Sequence, residues 1–522
     1  MVVKNLFRYA IRFVTFNVQY YFITISVNIN NAFLRKKSHM KPRKWSDLIF
    51  INLFWLGLNF RNTALGSVFM PYLVDLFVKP EVKNTALGLM RTAGLIIAMI
   101  VQPLAGLLSD RNTSRFGRRR PFIFFGTLLD LAFLFAIVLS TNYWLLLAAV
   151  LLIQVSSNIS HGPLQGLIPD QVPPEQHGRA SAFKSIFELL PLILVSLTIA
   201  KLVAGGKLGW AIFTTGLILL IMMITTVIFV KENPLKEKPS TSLKGPILRV
   251  MGMLAGILIG GFAGLITGAL FGAVPGLLVL LFVGKTQAII IGFSIGGLVA
   301  MIVAVMVGVW SGIRSTLGGE AKNIPSFQWW VINRLLFLAA VTSIQGFAPY
   351  FLMSTFNISR EAAIDLSANL MMVAGIFTLL SALPSGWLSD KVGHRILVVI
   401  SGLIGASGTG ILLLTARYPQ MELIYLSGCM IGLATGLFMT TNWALGTTLV
   451  PDDKAGRYLG ISNLAGAGAG MIGAGIGGPI ADLLNRLSPG SGYFVLFFCY
   501  AVLFLLSSVI VTRIKQNINV PT

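Results

Sequence analysis

Four polar side chains recur at helical spacing within one apolar stretch of the sequence: Gln154, Asn158, His161 and Gln165, at i, i+4, i+7 and i+11. This spacing places all four on one face of a helix. Amides and imidazole both donate and accept hydrogen bonds, as recognition of sugar hydroxyls requires. We therefore expect this face to line a cavity and bind a polyhydroxylated ligand. The alternative is that the amides bridge neighbouring helices in lipid, at about 0.6 kcal/mol a contact.

Further candidate ligand-binding residues lie in other apolar stretches. Asn52, Asn59 and Thr63 share a helix face early in the chain, and an aromatic ring later in the chain offers a stacking surface for the apolar face of a sugar. For Asn52 and Gln345, ligand binding and interhelical bridging are both open. The later candidates are Gln345, Thr440, Thr441, Asn442 and Trp443.

Titratable groups deep in apolar stretches are candidates for coupling transport to a cation. Glu188 is the first candidate and Asp130 the second; His161 is the third, because imidazole changes charge near neutral pH. The alternative is simple neutralisation, of Glu188 by Lys184 one turn before it and of Asp130 by a cation from another helix. Arg61 either binds substrate or offsets an acid.

The stretches that carry these residues are membrane spans. The chain has 522 residues, of which 55% are hydrophobic, and a mean hydropathy of +0.81. A spanning helix needs roughly 20 apolar residues, and such runs recur to residue 512. The sequence predicts an all-α, multi-pass membrane protein with fourteen spans. They lie near 48–70, 86–108, 121–140, 144–167, 180–200, 210–230, 251–272, 287–311, 331–353, 366–388, 396–415, 424–447, 458–481 and 493–512.

The distribution of the +22 net charge predicts the orientation. With a cytoplasmic N-terminus, thirty of the 40 Lys and Arg residues fall in inner segments and nine in outer ones, with Arg61 inside a span. This bias predicts that both termini are cytoplasmic. It also places most of the positive charge on the inner side of a membrane rather than against nucleic acid, and the predicted location is the plasma (cell inner) membrane.

Landmarks repeat in register along the chain. Pro71-Tyr72 recurs as Pro349-Tyr350, and the strings GLLSDR and GWLSDK, IPD and VPD, recur at offsets of 280 and 282. Two pseudo-symmetric six-helix bundles with an inserted Gly-rich helix pair are therefore expected. The predicted organisation is a basic extension (1–46), a first bundle (47–231), a linker with the inserted pair (232–324), a second bundle (325–512) and a tail (513–522). The extension either lies on the membrane surface or precedes a functional start at Met40.

The charge-rich segment SDRNTSRFGRRRPFI (109–123), called the arginine loop below, predicts a cytoplasmic gate. We expect Asp110, at the end of the second span, to pair with cations from the next loop or from the other half; such pairs close the cytoplasmic face in one state and break in the other. The alternative is a topology signal alone. The gate residues are Asp110, Arg111, Gly117, Arg118, Arg119 and Arg120, with Asp390, Lys391 and Arg395 in the second-half echo LSDKVGHR.

The sequence contains no residue pattern that predicts an enzyme. Cys429 and Cys499 lie far apart within spans, the four histidines are scattered, and no pattern of an activated nucleophile is present. The G-x-G-x-x-G match at 468–473 lies within a span with no preceding strand, so helix packing explains it better than nucleotide binding. We expect no catalytic residue, no metal and no cofactor.

The arginine loop resembles the major facilitator superfamily, and within it the sucrose and glycoside:cation symporter branch, of the plant sucrose transporter and glycoside-pentoside-hexuronide types. The likeness is specific over about thirty residues, and LNFRNTALGSVFMPY (58–72) and VSSNISHGPLQGLIPD (155–170) extend it. The resemblance implies alternating access to a central cavity. The branch has an acid and an arginine in the fourth span where this chain has Gln154 and Gln165. The absence of both charges is physically consistent, because one charged side chain left without the other would cost on the order of 3 kcal/mol at a helix centre.

The predicted function is secondary active transport of a sugar or glycoside, coupled to protons or sodium, by a monomer in the lipid bilayer. Two alternatives remain open. One is an exporter of amphipathic compounds or a transporter of another polar metabolite, and the other is a non-transporting membrane receptor or scaffold.

Overall fold

The structure is a computed structural model that describes residues 42–232, 234–235, 244–449 and 455–515. The expected N-terminal extension lies almost entirely outside the described residues. The described part of the chain is nearly all helical and contains no strand.

Fourteen long helices correspond one to one with the fourteen predicted spans, which confirms the fold class. Eleven helices in the described ranges are long and apolar enough to cross a membrane; α1, α3 and α13 complete the set. The helices are α1 (Trp45–Ala64), α2 (Lys83–Ser109), α3 (Arg120–Ala136), α4 (Tyr143–Gln165), α5 (His177–Leu197), α6 (Leu208–Phe229), α7 (Lys244–Phe282), α8 (Lys285–Leu317), α9 (Pro325–Phe356), α10 (Arg360–Val392), α11 (His394–Arg417), α12 (Met421–Thr448), α13 (Ala455–Leu487) and α14 (Ser491–Ile510).

The first helix does not stop where its regular α-helical part ends. A π-helical turn, Leu65–Phe69, joins α1 to a short helix, Met70–Phe77, that contains Pro71. A π turn and a proline both disturb the regular hydrogen-bond ladder and leave carbonyl groups for other donors. One of these carbonyls, at Gly66, accepts a hydrogen bond from Arg91 on α2.

The two halves repeat each other's packing. In the first half, α1 packs on α5 and α6, α4 packs on α2 and α3, and α3 packs on α6. In the second half the equivalent helices make the same contacts: α9 with α13 and α14, α12 with α10 and α11, and α11 with α14. Between the halves, α2 packs on α13 and α5 on α10, which are equivalent pairs under the same exchange. This arrangement is the pseudo-symmetry that the repeated landmarks predict.

The inserted helices α7 and α8 form a tight hairpin beside the second half. A Cβ atom at Gly260 would lie 2.5 Å from the Gly308 backbone, and one at Gly264 would collide with the Ala300 carbonyl oxygen. Small residues permit this backbone approach, which supplies packing that lipid cannot. α8 rests on α9, α13 and α14.

Substitution of a contact-face glycine should loosen this hairpin. Gly264→Val places its side chain against Ala300 and Ala304, so we expect a loss of about 1–3 kcal/mol of stability. The matched control is Gly261→Val on the same helix, where an added Cβ meets nothing within 4 Å. Thermal melting in detergent measures both variants. Equal melting temperatures would contradict the close-packed hairpin.

Candidate functional site

The halves are joined by polar contacts near the ends where α1 finishes and α2 begins, called the outer ends here. Asp75 of the first half accepts hydrogen bonds from Lys83 at 2.9 Å and from Arg360 of the second half at 2.6 Å. The Tyr350 hydroxyl donates to the Pro71 carbonyl across the same interface at 2.9 Å. The two proline-tyrosine landmarks therefore contact each other across the interface: the first contributes the Pro71 carbonyl and the second contributes the Tyr350 hydroxyl.

A second set of outer contacts lies on the α2–α13 side. Asp482 accepts from the Asn84 side chain at 2.8 Å and from the Thr85 backbone N–H at 2.6 Å. Lys201 pairs with Asp365 at 2.6 Å on the α5–α10 side. These contacts between described residues of the two halves all lie near the outer ends. They hold the two halves together at the outer ends and are called the outer latch below. They do not join the inner ends, at the opposite side of the bundles, to each other.

The four residues of the α4 stripe follow one face toward the inner end. Gln154 and His161 are half-buried, Asn158 is buried and Gln165 is exposed. The Asn158 amide donates to the Gln154 backbone carbonyl at 2.7 Å. The His161 ring meets the edge of Trp55 on α1, with ring centroids 5.2 Å apart. The stripe therefore continues onto α1.

A cluster of α1, α4 and α5 side chains forms around Trp55. The Asn59 amide donates to the Trp55 carbonyl at 2.9 Å, and Lys184 Nζ lies 4.4 Å from the Trp55 ring centroid. Lys184 also pairs with Glu188 at 3.4 Å, and both side chains are about one-third exposed. Sequence reasoning missed Trp55, although it precedes Asn59 by four residues and so shares its helix face.

Deeper in the first half, a buried ion pair joins α1 to α3. Arg61 Nη2 lies 2.7 Å from Asp130 Oδ2, with side-chain exposures of 0% and 2%, and the same nitrogen donates to Ser157 Oγ on α4. Asp130 Oδ1 and the other two guanidinium nitrogens have no hydrogen-bond partner within the described ranges. The structure thus places Arg61 beside an acid, and a coupling role for Asp130 stays a prediction.

The second half brings Asn442 and Trp443 together with a residue that sequence reasoning missed, Arg334 of α9. Arg334 Nη1 donates to Asn442 Oδ1 at 3.1 Å, and its guanidinium lies 5.3 Å from the Trp443 ring centroid. The Asn442 amide donates to Asn333 Oδ1 at 2.7 Å. At the repeat offset of 282, Trp443 is the counterpart of His161. Arg334 is a single basic residue at the fourth position of the predicted span 331–353, and this is the signal that could have marked it.

The remaining predicted polar residues make more local contacts. The hydroxyls of Thr440 and Thr441 donate to carbonyls of α12 itself, at 3.2 Å to Gly436 and 2.7 Å to Leu437. The Asn52 amide donates to the Leu48 carbonyl one turn earlier at 2.9 Å. Gln345 lines a small cavity of about 90 Å³ near the outer latch. Thr63 is half-buried on α1.

The arginine loop is held within the first half. Arg119 pairs with Asp110 at 2.5 Å and with Asp170 at 2.9 Å, and Arg118 also pairs with Asp170. Glu232, after α6, accepts the backbone N–H groups of Arg119 and Arg120 at 2.9 and 3.0 Å. Burial raises the pKa of Glu232, while these hydrogen bonds act in the opposite direction.

Gly117 supplies the turn that brings the loop onto Glu232. Its φ of +103° favours glycine, and a Cβ there would collide with the Glu232 side chain. Asp110, which is partly exposed, and Arg111, which is half-buried, lie seven and six residues before this turn. The ion pairs of Arg118 and Arg119 are made to acids of the first half, so a gate between the halves stays a prediction.

The second-half counterpart of the arginine loop, LSDKVGHR (388–395), also contacts a neighbouring helix end. Arg395 donates to the carbonyls of Val511 and Thr512 at 3.3 and 3.2 Å, joining the start of α11 to the end of α14. Glu232 makes the equivalent connection in the first half. Lys391 Nζ lies 4.0 Å from the Trp387 ring centroid, and the side chain of Asp390 is outside the described set.

The described side chains do not assemble a metal site. No group of three or more His, Cys, Asp or Glu side chains suited to a metal ion occurs in the part of the chain that the structure describes. The chemistry on offer is hydrogen bonding, aromatic stacking and charge.

Two repeated six-helix halves that are joined by polar contacts at their outer ends have the architecture of a helical membrane transporter. A sequence model of the Major Facilitator Superfamily matches residues 54–344 and 330–518. The chain therefore belongs to the Major Facilitator Superfamily.

Several curated proteins share part of the sequence. The chain is 28% identical over 170 residues to a general alpha-glucoside permease of Schizosaccharomyces pombe, covering 30% of each protein. It is 25% identical over 232 residues to the sucrose transport protein SUC3 of Arabidopsis thaliana, covering 36% of this chain and 37% of that protein. The chain thus spans only about a third of the length of these relatives.

Solved structures share the fold over most of the chain. A D-xylose-proton symporter superposes with a TM-score of 0.60 at 15% identity, covering 92% of this chain and 100% of that one. The peptide transporter POT in complex with sulfate gives a TM-score of 0.62 at 13% identity, covering 92% and 97%. At these identities the likeness shows the fold alone.

Removal of one charge from the Arg61–Asp130 pair should lower the stability of the protein. Asp130→Asn leaves a buried guanidinium without its counter-charge, so we expect a loss of about 3–5 kcal/mol. The double variant Arg61→Gln/Asp130→Asn removes both charges and should recover much of that loss. Thermal melting of purified protein in detergent measures the cycle.

The control for loss of a single carboxylate is Glu422→Gln, at the exposed outer end of α12. It should melt like the unaltered protein. An Asp130→Asn variant that also melts normally would show that the pair carries little stability.

Proposed function

We propose that this protein carries a sugar or glycoside across the membrane by alternating access of a central cavity. The observation that carries the proposal is the α4 stripe, which continues onto α1 through the contact between His161 and Trp55. Amides, an imidazole and an indole ring on adjoining helices suit a solute that has hydroxyl groups and an apolar ring face.

The partial sequence relatives support a sugar over other polar metabolites. An alpha-glucoside permease, a sucrose transport protein and human proton-associated sugar transporter A all match segments of the chain at 25–28% identity. The latter name also favours a proton as the coupling cation. Gln154 and Gln165 occupy positions that carry charge in the resembled branch, so the proton carrier here must be a different residue.

Glu188 is the proposed proton carrier. A carrier has to exchange protons with a water-filled cavity, and Glu188 with its partner Lys184 is about one-third exposed. Asp130 is 2% exposed and already paired with Arg61. Protonation of Glu188 would release Lys184, which already lies over the Trp55 ring beside His161. This links the charge change directly to the proposed sugar site.

The same proposal assigns the latched outer ends to the exterior of a plasma membrane and both termini to the cytoplasm. Thirty of the 40 basic residues then face inward, as the positive-inside rule favours. The proposed central cavity would accordingly be accessible from the cytoplasm. A monomer is sufficient, because both halves of the cavity belong to one chain.

Glu188→Gln should uncouple sugar movement from the proton gradient. In proteoliposomes we expect labelled-sugar exchange to persist, while accumulation driven by an imposed pH gradient is lost, because the glutamine cannot carry a proton. Glu422→Gln is the control and should accumulate normally. The double variant Arg61→Gln/Asp130→Asn should also accumulate.

The opposite pattern, with accumulation retained in Glu188→Gln and lost in the double variant, would move coupling to Asp130. Absence of sugar exchange in the unaltered protein would remove the proposed substrate class. Movement of amphipathic compounds instead would identify an exporter.

A further inference from the structure

A cavity of about 720 Å³ lies between the inserted hairpin and the second half, enclosed by α7, α8 and α13. Its α7 wall runs from Leu265 to Leu280, about 22 Å along the helix. The cavity is therefore long in the direction of the helices. It shares no lining residue with the α4 stripe or the outer latch, so it is separate from the proposed sugar-binding face.

The cavity arises because burial changes along α7. Near the inner end Met253 and Leu254 are buried, and Leu254 packs with Met99 and Met471. Beyond Gly256 the buried residues of α7 are glycines, and these contact α8. The outer half of α7 is thus held by α8, and a gap remains between it and α13.

The lining of this gap is apolar except at one position. Among the described residues that line it, Lys285 alone has a charged or polar side chain, and the others are Gly, Ala, Pro, Leu, Ile and Phe. Such a lining offers water no hydrogen-bond partners. An empty gap would forfeit van der Waals contacts on all its walls. Since the three helices are membrane spans, the hydrocarbon of a lipid is the occupant that the lining suits.

Lys285 places a positive charge at the outer mouth of the cavity. It is the first residue of α8 and is exposed. No described carboxylate lies within ion-pair distance of its Nζ. The first turn of α8 also has no side-chain cap, so the positive end of the helix dipole lies at the same mouth. A lipid phosphate complements this charge.

A second copy of the chain fits the cavity less well than a lipid. Glycine faces are the surfaces by which membrane helices commonly associate, but Gly260 and Gly264 of α7 already contact α8. The side chains that α7 leaves exposed are bulky, such as Phe262 and Leu270. An acyl chain can adapt its shape to the gap, whereas a second helix cannot.

We propose that this cavity binds an acyl chain of a phospholipid whose phosphate pairs with Lys285. Its wall is longer than the depth of one leaflet, about 15 Å of a hydrocarbon core of roughly 30 Å, so a whole chain can lie in it. The bound chain completes the packing of the hairpin's outer half on α13. Under the orientation proposed above, the lipid belongs to the outer leaflet. The inference does not depend on sugar transport.

The test measures lipid binding to the purified full-length chain in detergent by native mass spectrometry. The probes are dioleoylphosphatidylglycerol and dioleoylglycerol, which have the same acyl chains, but only the first has a phosphate. We expect dioleoylphosphatidylglycerol to bind more tightly. Lys285→Gln should weaken its apparent affinity about fivefold, the effect of one cation near a lipid phosphate, and should leave dioleoylglycerol binding unchanged.

Lys207→Gln is the matched control. Lys207 is also an exposed lysine at the outer end, immediately before α6, and that helix also has no side-chain cap. It does not line the cavity. Its substitution should leave the binding of both lipids as in the unaltered protein.

A second pair of variants tests the position of the acyl chain. Ala273 lines the cavity, whereas the adjacent Val274 is exposed and does not line it. Ala273→Phe should weaken binding of both lipids, because the ring occupies space that the chain needs, and Val274→Phe should weaken neither. Thermal melting gives a second readout: dioleoylphosphatidylglycerol should raise the Tm of Val274→Phe more than that of Ala273→Phe.

Each other outcome contradicts the proposal. Equal binding of the two lipids, unaffected by Lys285→Gln, rejects the phosphate contact. Lipid binding that Ala273→Phe leaves unchanged places the lipid outside the cavity. Equal stabilisation by glycerol 3-phosphate, which has no acyl chain, assigns Lys285 to a free phosphate. A dimer that Ala273→Phe dissociates shows that a second copy of the chain fills the cavity.

Discussion

The organisation of this transporter depends on the high cost of a charge in lipid. Arg61 and Asp130 satisfy that constraint by meeting in a site that excludes solvent, and Ser157 completes the contact. Because these residues come from α1, α3 and α4, the pair fixes three helices relative to one another. The fixed orientation of α4 determines where its polar stripe points. A local electrostatic requirement thus sets the position of the proposed sugar-binding face.

The equivalent contacts between the halves explain how such a site can change access. α2 meets α13 and α5 meets α10 in matching ways, so each half presents the same pair of surfaces to the other. The polar contacts between the halves are concentrated at the outer ends, around Asp75 and Asp482. Release of those contacts would let the halves tilt without disturbing the packing inside either one, as expected for rigid-body rocking.

The inserted hairpin contacts both halves, so this movement must change its contacts. It packs mainly on the second half, but Leu254 of α7 shares an apolar cluster with Met99 of α2 and Met471 of α13. A helix that touches both halves must slide or separate when they tilt. The glycine-rich face of the hairpin keeps α7 and α8 together, so the pair moves as one body on the second half.

The sequence predicts the fourteen spans, the duplication and the inserted pair, because apolar runs and repeated landmarks encode them directly. It also identifies side chains that the structure places near one another, including Asn59, His161 and Glu188. It does not identify Trp55, Arg91 or Arg334, because their significance depends on which helix faces which. The sequence likewise leaves the partner of Asp130 open, since Arg61 lies sixty-nine residues away and only the folded arrangement of α1, α3 and α4 brings the two side chains together.

The central claim is that the α4 stripe faces a water-filled cavity open at the cytoplasmic end. The most direct measurement is the reaction of single cysteines with a membrane-impermeant thiol reagent in sealed vesicles, after Cys429 and Cys499 are replaced by serine. His161→Cys and Gln165→Cys should react from the cytoplasmic side, while Leu152→Cys, on the exposed opposite face of α4, should not. If His161→Cys and Leu152→Cys are equally unreactive from both sides, the stripe does not line such a cavity.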